Sequence, residues 1–145
     1  MKNREIIEKL LEVKNILNEA GKKEIFFEFG LTVANYEILK MIEKEEIKTI
    51  TDLKKIFSES LASLTQKTQK LEELKYLKKD KDKDDPRKNI LTITEKGKKA
   101  LRRVEKKIDL VSALIFKKFS QREKENFYEI LDYLSVRLKK RINKK

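Results

Sequence analysis

Apolar residues recur at steps of three and four through most of the chain, the period of an amphipathic helix. Ile6, Leu10, Val13, Leu17 and Ala20 predict a first helix with a stripe for other helices, ended by Gly21. Thr32 is placed to cap a second helix carrying Tyr36, Leu39 and Ile42. After a short extended piece, IKTI, Thr51 can cap a brief helix that turns Leu53, Ile56 and Phe57 inward. The polar break SES follows, and from about Leu61 a third pattern runs through Leu64, Leu71 and Leu74. Two short helices joined by a tight polar break outline a helix-turn-helix.

From Tyr76 the period changes. YLKKD and NILTIT are short, β-prone and separated by the charged loop Asp82 to Arg87, which predicts a hairpin. Pro86, the only proline, suits the loop and would be poorly placed in a paired strand. Thr94 can cap the next helix, whose stripe is Leu101, Val104, Ile108, Val111, Ile115 and Phe119. Ser120 with Glu123 is a capping box opening a last helix, with Phe127, Leu131, Leu134 and Leu138 as its buried stripe and a basic tail, RLKKRINKK, expected to fray. The fold class is therefore mainly α with a small β-hairpin. Helix, short strand, helix, turn, helix, strand, charged loop, strand, helix is the order of a winged helix-turn-helix, with the charged loop as its wing.

Charge sharpens this outline. The formal charge of +12 is unevenly spread: −1 over residues 1–50, +5 over 51–100 and +8 over 101–145. A polyanion partner explains the bias, as does a lysine-rich composition in which Lys outnumbers Arg 30 to 7. With neither cysteine nor histidine, thiol chemistry, imidazole catalysis and most zinc sites are absent, so neither an enzyme nor a metal or cofactor is expected. The longest apolar-rich run, Leu110 to Phe116, is far short of a membrane span, and a soluble cytoplasmic protein is expected.

TDLKKIFSESLASLTQKTQKLEELKYLKK followed by DDPRKNILTITEKG resembles the MarR family of bacterial and archaeal transcription regulators. The family's wing motif falls on Asp85, Arg87, Ile90, Leu91, Thr94 and Gly97. The resemblance covers the central half directly and the ends by architecture. It implies a dimerisation helix and connection over 1–30, a DNA-binding winged helix-turn-helix over 31–100 and C-terminal dimerisation helices over 101–145. There are two departures: Pro86 stands where the family usually has a second arginine, and Thr68 stands near the apolar face where it prefers an aliphatic residue.

At ~100° per residue, the third helix opposes its leucine face with Ala62, Gln66, Gln69 and Glu73. That face should enter the major groove. Gln66 and Gln69 can each pair with an adenine edge, and Ser63 and Thr65 can touch bases or phosphates from the first turns. Lys67 and Lys70 lie on the flanks, where phosphates would be, and Lys81, Lys83 and Lys88 would add wing contacts. Arg87 resembles the family's wing-tip arginine, which reaches the minor groove, with Asp85 orienting its guanidinium.

The resemblance implies a homodimeric regulator of double-stranded DNA, commonly a repressor, on a pseudo-palindromic site. It also implies a small aromatic effector in some members, for which Phe26, Phe27, Phe29 and Tyr36 could line a pocket; IFFEF reads more readily as core. Two other readings stay open: a protein-binding winged-helix adaptor and a sequence-indifferent architectural DNA binder.

Overall fold

A computed structural model describes residues 1–144. Six helices and one two-stranded antiparallel sheet appear in the order α1 (Asn3–Gly21), α2 (Val33–Glu43), α3 (Ile50–Ile56), α4 (Leu61–Glu73), β1 (Leu77–Lys81), β2 (Asn89–Ile93), α5 (Glu95–Ile115) and α6 (Gln121–Asn143). This is a winged helix-turn-helix with long flanking helices. The chain divides into a unit ending at Ile108 and a second beginning at Asp109.

In the first unit, Ile38 and Leu39 of α2, Leu53 of α3, Leu64 and Leu71 of α4, and Leu101 and Val104 of α5 are almost wholly buried, and Ile47 joins them from the loop before α3. Thr68 lies in the same layer at 0% exposure, its hydroxyl donating to the Thr65 carbonyl at 2.9 Å. A polar side chain is thus satisfied inside its own helix. Leu61, expected with the other leucines, is instead 56% exposed, because the first turn of α4 projects beyond the core.

Helix α1 ends at Gly21 as expected, though not through a left-handed glycine stop. The Gly21 backbone is helical (φ −59°), and the chain continues through a π-turn, Lys22–Phe26, and a 3₁₀ turn, Phe27–Phe29, to Gly30. Gly30, at φ +69°, is the stop, in the left-handed region that favours glycine. Gly21 serves space: an added Cβ would lie 3.3 Å from the Phe26 ring. Thr32 caps α2 as expected, accepting from the Asn35 N–H at 3.1 Å.

The start of α3 is shifted from the expected Thr51 to Thr49. Thr49 Oγ1 accepts from the Asp52 N–H at 3.1 Å, while the Asp52 carboxylate accepts from the N–H groups of Lys48 at 2.9 Å and Thr49 at 3.0 Å. A full capping box outcompetes the lone threonine two residues on. The Lys48 N–H, with the further bonds from Thr49, holds the Asp52 carboxyl below its ordinary range.

The hairpin pairs Leu77 with Ile93 through to Lys81 with Asn89. The preceding IKTI piece runs beside it, where the Leu91 N–H donates to the Lys48 carbonyl at 2.7 Å. Thr94 caps α5, accepting from the Gly97 N–H at 3.0 Å. Gly97 is required by close approach, since a Cβ there would fall 2.3 Å from the Tyr76 carbonyl oxygen.

In the second unit, Phe119 lies in the turn after α5, not on that helix, which ends at Ile115. The Ser120 and Glu123 capping box opens α6 as read. Over the described residues the tail is helical, α6 running to Asn143. Its stripe is not buried either, with Phe127 47%, Leu131 37% and Leu138 53% exposed. Phe116, Phe119, Glu123, Lys124 and Phe127 line an open hollow of about 350 Å³. Among the described residues, no helix is long and apolar enough to cross a membrane.

Candidate nucleic-acid interface

The second helix of the helix-turn-helix is α4, begun by Ser60, whose hydroxyl oxygen accepts from the Ser63 N–H at 3.1 Å. Leu64, Thr68 and Leu71 fix its inner face. Ala62, Gln66, Gln69 and Lys70 are consequently exposed on the outer face, and Ser63, Thr65 and Lys67 are half-buried at its sides. Thr65 Oγ1 donates to its own helix, at the Leu61 carbonyl, 2.8 Å away.

Ser63 and Lys67 have a partner that the periodicity of the helix could not show. Glu59, in the break before α4, accepts from Ser63 Oγ at 2.7 Å and from Lys67 Nζ through both carboxylate oxygens. Lys67, and then Ser63, draw the Glu59 carboxyl below its ordinary value. Lys54 Nζ donates to the Glu59 backbone carbonyl at 2.6 Å, so this one residue ties α3 to α4.

At the wing, the Asp82 N–H donates to the Lys88 carbonyl and the Lys88 N–H to that of Asp85, at 2.9 and 3.0 Å. Asp85 and Pro86 take the first two positions of this turn, where each residue type is favoured. The Asp85 carboxylate accepts from the Arg87 N–H at 3.1 Å and from Arg87 Nε at 3.2 Å, which lowers its pKa, the backbone bond contributing most. The Arg87 side chain is 91% exposed, so Asp85 orients the guanidinium without burying it. Lys81, Lys83 and Lys88 are exposed around it. Between wing and helix-turn-helix lies a cleft of about 530 Å³, lined among others by Lys48, Lys55, Leu61, Thr65, Arg87 and Lys88.

The four aromatic residues of IFFEF and α2 do not share one environment. Phe26 and Phe29 are buried, Phe27 is 79% exposed, and Tyr36 is half-buried with its ring centroid 5.2 Å from that of Phe26. Tyr76 Oη donates to the Phe29 carbonyl at 3.0 Å, fixing that residue in the core.

A buried helix-turn-helix followed by a charged two-stranded wing defines a winged-helix transcription regulator. The family model for the transcriptional regulator SarA/Rot matches residues 20–104. The chain belongs to that family. Its fold is that of MarR-family regulators, as the helix-turn-helix and wing residues indicated. A crystal structure of MarR superposes with a TM-score of 0.81 at 18% identity, covering 100% of this chain and 96% of that one. A MarR protein from Peptoclostridium difficile gives 0.79 at 20% identity over 95% and 90% of the two chains. An organohalide-sensing transcriptional regulator in its 2,4-dichlorophenol-bound form gives 0.78 at 16% identity over 94% and 82%. No curated protein matches the chain.

Proposed function

We propose that the protein acts as a homodimer on a pseudo-palindromic DNA site and represses transcription by occupying it. Each α4 presents Ala62, Gln66 and Gln69 to the major groove, and Arg87, oriented by Asp85, enters the adjoining minor groove. Thr65 can reach DNA from the first turns of α4, and Lys70, Lys81, Lys83 and Lys88 sit where they would meet phosphates. The stripes of α1 and α6, together with the last turns of α5, form the dimer, with half-sites about one helical turn apart, ~10 bp.

The observation that carries this reading is the exposed Arg87 guanidinium, held in one orientation by a carboxylate that takes its main-chain N–H and its Nε together. An arginine fixed by its neighbour loses less freedom on binding and presents a planar donor group to the groove.

Fluorescence anisotropy with the duplex upstream of the protein's own gene and with a scrambled duplex tests it. Wild type should prefer its own duplex, and Arg87→Ala should lose at least about 1 kcal/mol of binding with unchanged thermal stability. Equal affinity for both duplexes and an indifferent Arg87→Ala would refute the reading.

A further inference from the structure

Ser63 and Lys67 stand on the side of α4 where a DNA-reading helix would use them, yet both are committed to Glu59 within the chain. The pair is sheltered, with 27% of the Lys67 side chain and 31% of the Glu59 side chain exposed. Gln66 and Gln69, one turn apart on the outer face, are exposed instead. Among the described residues, no carboxylate pairs with the side chains of the wing lysines 81, 83 and 88, which are exposed.

From this arrangement we propose that Glu59 masks Lys67 and so limits how tightly the protein holds DNA of any sequence. The inference rests on the DNA-binding reading above and assigns Lys67 a role opposite to a phosphate contact. A lysine that neutralises a phosphate releases condensed counterions and strengthens binding to every sequence equally. A lysine already neutralised by a carboxylate releases none. The carboxylate is ionised at neutral pH like any glutamate, Lys67 and Ser63 favour that form further, and close placement keeps the mask in force where salt would screen a looser pair. The glutamines carry no net charge, so the centre of the recognition helix reads base edges with little sequence-blind attraction added to it. The general attraction is left to the wing and to the exposed Lys70.

The test uses the full-length protein, a random-sequence duplex and the duplex upstream of its own gene, with anisotropy measured from 50 to 200 mM salt. Four proteins are compared: wild type, Glu59→Gln, Lys67→Met and the double variant. Glu59→Gln keeps an acceptor for Ser63 and removes only the charge. It should steepen the salt slope by about 0.9 per DNA-bound chain, which is about threefold more affinity lost across that salt range, and tighten binding to random duplex at the low-salt end. Lys67→Met should leave the wild-type slope where it was, and the double variant should return to it.

An unchanged slope in Glu59→Gln overturns the proposal and leaves Glu59 as a brace of the α3–α4 turn. So does steepening that persists in the double variant, because it would come from the general field of the lost carboxylate and not from Lys67. A slope reduced by about 0.9 in Lys67→Met alone also overturns it, whatever Glu59→Gln does. Wild type that holds neither duplex at 50 mM salt removes the DNA-binding reading and this inference together.

Discussion

Helices α4 and α6 carry the same message in their sequences, leucines at three- and four-residue steps, and meet opposite fates. Leu64 and Leu71 of α4 are at 0% exposure, whereas Phe127, Leu131 and Leu138 of α6 are between 37% and 53% exposed and no residue of α6 is buried. Helix α1 sides with α6: Ile6, Val13 and Leu17 stay 40% to 55% exposed. Periodicity therefore reports that a face is apolar without saying what covers it. In α4 the cover comes from the same chain, from α2, α3 and β1. For α1 and α6 a second copy is the cover we propose, since apolar stripes this long are rarely left to water.

The largest effect should come from breaking the covered side. Leu71→Ala removes a side chain with no exposure and leaves a cavity, so urea unfolding should show a loss of about 2 to 5 kcal/mol, independent of protein concentration. A loss under ~1 kcal/mol would mean that α4 is held by something other than its apolar face.

The next effect breaks the open side. Leu131→Asp places a charge in the middle of the α6 stripe, which a lone chain would tolerate at 37% exposure and an apolar interface would not. Light scattering coupled to size-exclusion should find wild type at twice the 17.3 kDa chain mass. The variant should shift toward monomer, the dimer weakened by at least about 2 kcal/mol. Wild type running as a monomer at micromolar concentration would sink the dimer proposal, and the exposed stripes would need another explanation.

How far the sequence could be read depends on how local each signal is. Thr32, Ser120 with Glu123, and the two β-prone runs around Pro86 were legible because each needs only three to seven adjacent residues. Gly21 marked the end of α1 but not how the chain goes on, because composition marks a glycine but not its φ; the Phe26 ring that claims its space is a tertiary fact. The stops of α2 and α4 had no glycine to announce them: Glu45 (φ 59°) and Lys75 (φ 64°) take the left-handed position themselves. There, Glu46 and Tyr76 N–H groups bond back to the Met41 and Leu71 carbonyls. At the candidate site, the link between Asp85 and Arg87 was legible through the wing motif's resemblance to the MarR family. Glu59 was not, because it meets Lys67 across a turn, eight residues away and outside any helical period.

The smallest effect concerns Thr68, a departure from the family pattern at the apolar face of α4. Its hydroxyl donates to the Thr65 carbonyl, within the same helix, and it is fully buried. Thr68→Val keeps the shape, adds apolar surface to the core layer and loses one hydrogen bond worth about 0.5 to 1.5 kcal/mol. The carbonyl left behind still has its place in the helical ladder, so no buried group is orphaned. These opposing terms should nearly cancel, leaving urea unfolding within about 1 kcal/mol of wild type. A loss well beyond that would show that the Thr68 hydroxyl is needed to hold the first turns of α4, and with them Ser63 and Gln66, in place.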